Sequence, residues 1–256
     1  MHLPLSRLTI SIVSHGHGPL VVQLLNDLDL LPSLRGAVVV ITLNLLNEQL
    51  DTTRIRHLRI ELIRNTNPKG FGANHNEAFR RCETEWFGVL NPDLRVTDDV
   101  FSELLAAVVD NAGIALVAPR VLNSAGGIED SVRENLTPWS ILKRTLTPHP
   151  RPRPPAGKGF RWYAGMFYLI RSSAYAALGG FDERYFLYCE DYDLCARMYL
   201  EGRQLVHMPS VTVVHDAQRN SHRSGRHLRL HLASLLRVWR STPVWRIAMA
   251  LRARAP

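Results

Sequence analysis

Short β-branched apolar runs separated by helical periods dominate the first half of the chain. LTISIV (8–13) reads as a buried strand, and PLVVQLLNDLDLL (19–31) follows with apolar residues at helical spacing. AVVVITL (37–43) and HLRIELI (57–63) are the next two strand candidates. GFGANHNEAFRRC (70–82) predicts a helix entered through glycines, and WFGVL (86–90) a fourth strand ended by Asn91-Pro92-Asp93. DDVFSELLAAVVDN (98–111) is helical and GIALVAP (113–119) returns to strand. Strands alternating with helices predict an α/β fold with a mostly parallel sheet flanked by helices.

The pattern then loosens. TPHPRPRPPAGKG (147–159) has five prolines in thirteen residues and predicts a loop or lid. WYAGMFYLI (162–170) reads as strand, 190–201 as a helix closed by Gly202, and VTVVH (211–215) as a further strand. RHLRLHLASLLRVWR (226–240) sets Leu228, Leu232, Leu235, Leu236 and Trp239 on one helical stripe. No internal repeat is present.

Composition narrows the class. With 256 residues and 46% hydrophobic positions, the chain can bury a core of one large domain or one and a half. No stretch reaches the roughly 18 apolar residues of a bilayer span, and the N-terminus lacks signal-peptide features. Three scattered cysteines predict reduced thiols and a cytosolic protein. The formal charge of +8 is unevenly placed: residues 217–256 hold nine arginines and no Lys, Asp or Glu. Residues 1–216 are left with 22 basic and 23 acidic side chains, a net of −1. A near-neutral body with a basic appendage argues against nucleic acid as a partner.

Three groups fall at the carboxyl ends of predicted strands, where open α/β sheets bind ligands: SHGHG (14–18), Thr42 to Asn44, and Asn91-Pro92-Asp93. SHGHG matches neither a dinucleotide nor a P-loop fingerprint. Pro92 biases Asn91 towards extended angles, so Asn91 and Asp93 can offer two oxygens to a hard divalent cation. The bland alternative is a helix start, with Asp93 or Thr97 capping the 98–111 helix. YFLYCEDYDLCARM (185–198) poses a similar choice. Its acids suit the first turn of a helix, yet one of them could accept a proton. His215 at a strand end is, by itself, an ordinary turn residue. His227 and His231 lack a further ligand and read as a solvated basic face.

NPKGFGANHNEAF (67–79), VLNPD (89–93) and WYAGMFYLIRSSAYAALGGFDERYFLYCEDYDLCARM (162–198) together resemble a family 2 glycosyltransferase of the GT-A fold, closest in look to bacterial rhamnosyltransferase-like members. The resemblance implies a GT-A domain over 1–225, with a nucleotide-sugar half (about 1–120) and an acceptor half (about 121–225), and a basic amphipathic tail over 226–256. It implies inverting, metal-dependent transfer of a sugar, rhamnose from dTDP-rhamnose being expected, to a polysaccharide or glycolipid precursor. A UDP- or GDP-linked donor, or a non-catalytic nucleotide- or glycan-binding module, is the alternative. Asp191 stands at the catalytic base, with Glu190 and Trp162 on the acceptor. Asp93, Asn91 and His215 stand at an Mg²⁺ or Mn²⁺ site. Ser14, His15, Thr42, Asn44, Asn67, Gly70 and Asn74 stand around the nucleotide. ITLN (41–44) departs from the family by lacking an acid that reads the base or ribose, so Thr42 or Asn44 must serve there. The tail, with Trp239 and Trp245 as anchors, would lie on an anionic membrane surface, at the inner face of the plasma membrane. Packing on the domain and a homodimer contact are its alternatives.

Overall fold

The computed structural model describes residues 7–146, 159–216 and 225–253. The proline-rich segment expected as a loop or lid lies, except for Gly159, outside the described residues. Strands β1 (Leu8–Ser14), β2 (Val38–Leu43), β3 (Arg59–Arg64) and β4 (Trp86–Leu90) form a parallel block. Helices α1 (Gly18–Asp29) and α2 (Phe71–Phe79) connect within it. The short β5 (Leu94–Arg95), α3 (Val100–Val108) and β6 (Ile114–Asn123) follow, then β7 (Val132–Arg133), α4 (Pro138–Leu146), β8 (Trp162–Tyr163) and β9 (Phe167–Arg171). The chain continues through α5 (Ser172–Ala177), α6 (Glu190–Leu200), β10 (Gln204–His215), α7 (Gly225–Arg240) and α8 (Thr242–Arg252).

Eight strands make one sheet in the order β3-β2-β1-β4-β9-β6-β10-β5, and β7 pairs with β8 apart from it. β6 and β10 are parallel, while β9 runs antiparallel to both β4 and β6. Alternation within strands sorts side chains to two cores. Leu8, Ile10 and Ile12 of β1 pack towards α1 and α3, whereas Ser11 turns the other way and meets His75 of α2. The second core lies on that other face and joins α2, α6, α7 and α8 around Tyr168, Tyr175 and Tyr192.

Several elements differ from expectation for identifiable reasons. WYAGMFYLI divides into β8 and β9, broken at Ala164-Gly165-Met166. β6 runs past Pro119, which should have ended it. The register of β10 shifts between Met208 and Thr212, opposite Pro119 and Arg120, so the proline sits at an irregularity where a missing N–H does little harm. The same irregularity let only VTVVH look like strand, although β10 begins at Gln204. On α7 the expected stripe divides: Leu235 faces inward with Ser234 and Val238, and Trp239 is half-buried, while Leu228, Leu232 and Leu236 are exposed.

Candidate functional site

Because β1, β2, β4, β6 and β10 are parallel, their carboxyl ends share one edge, and the antiparallel β9 brings its amino end to it. At that edge β5 pairs with the end of β10, setting Leu94 opposite His215. His215 Nε2 thereby lies 3.1 Å from Asp93 Oδ1, and the Asp216 N–H donates to the Asp93 carbonyl at 2.9 Å. Burial alone would push the imidazole down; the hydrogen bond and charge of Asp93, then Glu129 and Asp216, outweigh it and hold His215 above its ordinary value. Helix α3 is capped by Asp99, whose carboxylate accepts from the Ser102 N–H, so neither Asp93 nor Thr97 has the capping role weighed for it.

The loops after β1 and β2 are tied together by a residue that the sequence did not single out. The Glu48 carboxylate accepts from the Ser14 hydroxyl and from the Gly16 N–H (3.1 Å), and its second oxygen is buried with no partner among the described residues. Asn44 is the hub of the next layer. Its Oδ1 accepts from Asn65 Nδ2 and the Lys69 N–H (2.8 Å each), and its Nδ2 donates to the Lys69 carbonyl (3.0 Å). Asn74 shares this network, accepting from Asn65 at 2.7 Å. Asn74 and Thr42, expected against the nucleotide, are buried beneath the surface of the site. His15 and Asn67 are exposed on it, with His15 Nδ1 3.1 Å from Asn44 Nδ2. Gly70 caps α2 where a Cβ would stand 2.6 Å from the Phe186 carbonyl oxygen. That close approach presses the start of α2 against the acidic loop.

The acidic loop enters α6 through two consecutive left-handed residues, Tyr188 (φ 74°) and Cys189 (φ 67°). Such conformations are costly for non-glycine residues, and here the surroundings hold them. The Tyr188 hydroxyl and His227 Nδ1 of α7 share a 2.9 Å hydrogen bond, and the Ser234 hydroxyl donates to the Leu187 carbonyl at 2.9 Å. His231 stacks edge-on against Tyr188. His227 and His231 thus brace this loop. Asp193 is committed elsewhere, binding Arg197 at 2.7 Å, which in turn donates to the Leu178 and Gly180 carbonyls of the Gly-Gly turn.

Glu190 and Asp191 are adjacent carboxyls with different surroundings. Burial, then the charge of Asp191, push Glu190 well above the carboxylate range; it is 4% exposed and its Oε2 has no partner among the described residues. Asp191 is also raised by burial, against which Arg133 of β7 acts first, then the N–H groups of Tyr192 (2.8 Å) and Gly165 (3.1 Å). Asp191 has an arginine and two neighbouring N–H groups that favour its charged form, whereas for Glu190 burial and the Asp191 charge both act against ionisation. Trp162 is 3% exposed, its indole N–H on the Glu134 carbonyl and the Arg133 guanidinium 5.1 Å above its ring. It stands behind Arg133 instead of presenting a bare ring to an acceptor.

Gly165 and Met166 join the two halves of the site. The Gly165 N–H donates to Asp191, and the Met166 carbonyl accepts from the Asn91 N–H at 2.8 Å. Asn91, two residues before Asp93, and Asp191 are therefore fastened to adjacent residues of one turn. Among the described residues no three His, Cys, Asp or Glu side chains form a cation cluster. Asp93 and His215 nevertheless fit a divalent ion. A carboxylate suits Mg²⁺ or Mn²⁺, an imidazole is compatible with Mn²⁺, and such ions take remaining ligands from substrate phosphates and water.

The comparisons with known proteins bear on the fold and the family. The mycobacterial N-acetylglucosaminyl-diphospho-decaprenol L-rhamnosyltransferase (Mycobacterium tuberculosis) is 30% identical over 167 residues, 59% of this chain and 52% of that protein. Rhamnosyltransferase WbbL of Escherichia coli is 29% identical over 182 residues, 66% of this chain and 69% of that protein. The chain thus spans about half the length of the mycobacterial relative. Among solved structures, the mannosyltransferase PcManGT from Pyrobaculum calidifontis in complex with GDP-Man and Mn²⁺ superposes with a TM-score of 0.58 at 16% identity, over 90% of this chain and 64% of that one. S. aureus TarS in complex with UDP-GlcNAc gives 0.57 at 16% identity, over 84% and 60%. These likenesses establish the GT-A fold. The sequence model of glycosyl transferase family 2 matches residues 42–172, just over half of the chain, and the chain belongs to that family.

Proposed function

We propose that this chain transfers a sugar from a nucleotide-diphosphate donor to a saccharide hydroxyl by single displacement with inversion, Asp191 taking the proton. The observation that carries this reading is the turn at Gly165 and Met166, which ties Asp191 and the strand end leading to Asp93 to neighbouring residues. Residues 14–16, 44–48 and 67–70 form the donor side, and the acidic loop with Arg133 the acceptor side. Asp191, held by two N–H groups, would accept the acceptor proton as the new bond forms. Glu190, which burial pushes well above the carboxylate range, would add little second charge to the pocket. Asp93 and His215 would hold Mg²⁺ or Mn²⁺, which when bound supplies charge stabilisation for the departing diphosphate.

The names of the relatives support rhamnose, and hence dTDP-rhamnose, as the donor sugar, and a lipid-linked diphosphosaccharide as the acceptor. That acceptor would place the enzyme at a membrane surface. No described helix is long and apolar enough to cross a bilayer. The decisive experiment pairs a thermal-shift panel of sugar nucleotides, with and without Mn²⁺, with transfer assays of Asp191→Asn. The wild type should shift most with one donor and metal. The variant should keep that shift and lose about a hundredfold or more in turnover. A wild type that binds nucleotide yet turns over no donor would make the chain a binding module.

A further inference from the structure

The basic tail does not stand away from the enzyme. Val238 of α7 and Val244 and Ile247 of α8 are fully buried in the second core. What α7 leaves outside is a ridge at i, i+4, i+8: Leu228 (60% exposed), Leu232 and Leu236. Exposed Arg229, Arg237 and Arg240 occupy the next stripe round the same helix. On α8, Trp245 and Met249 are exposed beside Arg246. A third helix, far off in sequence, also leaves apolar side chains outside. α4 exposes Trp139 (74%), Leu142 and Leu146 (73%).

Three hydrogen bonds join the segment just before α4 to the tail helices, and those helices to each other. The Trp239 N–H donates to the Leu136 carbonyl (2.9 Å), the Trp245 N–H to the Trp239 carbonyl (2.7 Å), and Asn135 Nδ2 to the Val244 carbonyl (3.0 Å). α4, α7 and α8 contain no Asp or Glu, and eight of the twelve large apolar side chains exposed among the described residues lie on them. Apolar side chains concentrated on helices whose only charges are basic complement a surface that is oily within and negative at its rim.

We propose that α4, α7 and α8 together form one docking face for an anionic lipid bilayer. The proposal specifies the membrane reading given above and does not depend on which sugar is transferred. It also goes beyond the tail, because it includes α4. Through His227 and Ser234 the inward side of α7 braces the loop that leads to Asp191, so docking through the outer side would hold that loop one helix diameter (~10 Å) from the lipid headgroups.

The test uses the full chain and floating vesicles of phosphatidylcholine, with or without phosphatidylglycerol. Wild type should bind the anionic vesicles and release as salt rises. Arg229→Gln with Arg240→Gln should weaken binding about fivefold per arginine. Leu232→Glu with Leu236→Glu should weaken it about tenfold or more, and Trp139→Asp should also lower it measurably. Melting curves and sugar-nucleotide binding without vesicles should match wild type for all three variants, since every altered side chain is exposed. Equal wild-type binding to neutral and anionic vesicles would overturn the proposal, as would unaltered binding by the leucine variant. Wild-type binding by Trp139→Asp would remove α4 and with it the three-helix face. A concentration-dependent dimer dissolved by the leucine substitutions, with no vesicle binding, would assign the face to a second copy of the chain. A wild type that binds vesicles but no sugar nucleotide would defeat the transferase reading alone.

Discussion

Glu190 and Asp191 show how far neighbouring residues of one type can diverge. A carboxyl whose native pKa lies above its unfolded value stabilises the fold fully only below the unfolded value, and that stability is lost as pH rises through the native one. Both acids are raised, so both oppose folding at neutral and alkaline pH. Glu190→Gln should therefore raise the melting temperature by a few degrees, about 2–4 °C per kcal/mol for a chain of this size, with the gain shrinking towards pH 4. A gain that persists unchanged in acid would refute this linkage. Arg133 has the opposite sign, since its charge favours ionised Asp191. Arg133→Gln should move the acid limb of the pH–rate profile upward, and Arg133→Lys should restore much of it. The roles proposed for Asp93, Asp191 and His215 came from the family resemblance, since by their own residues they read equally as a helix cap, a first-turn acid and a turn residue. Arg133 and Glu48 were not legible in the sequence, for a single charge outside any motif carries no local signal; only the fold brings each to its partner.

At the scale of elements, the site depends on a close approach between the start of α2 and the acidic loop. A Cβ on Gly70 would stand 2.6 Å from the Phe186 carbonyl oxygen and 2.9 Å from its Cα, both backbone atoms that cannot swing aside. Gly70→Ala should lower donor affinity and turnover together, by about tenfold or more if the loop is displaced by an ångström. Gly36→Ala is the control: its φ of 78° brings a backbone cost of about 1–2 kcal/mol, but a Cβ there meets nothing within 4 Å. Equal kinetics for the two variants would rule out the contact as a positioning device. Strand and helix periods were readable from residue 8 to β6, since alternation and β-branching coincide there. The direction of β9 was not, because a run of apolar residues has no polarity; its antiparallel insertion follows from sheet order. Likewise the stripe on α7 was wide enough to admit two orientations, and burial of Ser234 and Val238 decided between them.

For the whole molecule, the question is whether residues after 225 are an appendage. Val238, Val244 and Ile247 are fully buried, and side chains of this kind contribute about 1.5–3 kcal/mol each. Their joint loss is comparable to the 5–15 kcal/mol that hold a typical domain. A chain ended at residue 225 should therefore melt at much lower urea than the full one, and should lose turnover even on a water-soluble acceptor. Unchanged stability would return these helices to the status of a detachable tail. The concentration of arginine after residue 217 was plain in the sequence and suggested such a tail; the apolar positions interleaved with it, which fasten it down, read equally well as a membrane face.

The brace between α7 and the left-handed pair Tyr188-Cys189 has a consequence for the order in which the protein becomes active. Ribosomes deliver the sheet, the Asp93 turn and the acidic loop well before His227 and Ser234 emerge. Until they do, the α7 side of the brace on Tyr188-Cys189 is missing, and a nascent chain would already carry the acid proposed as its proton acceptor without the full support that aims it. On the proposed mechanism, competence would then rise only as α7 emerges and closes the brace on the loop.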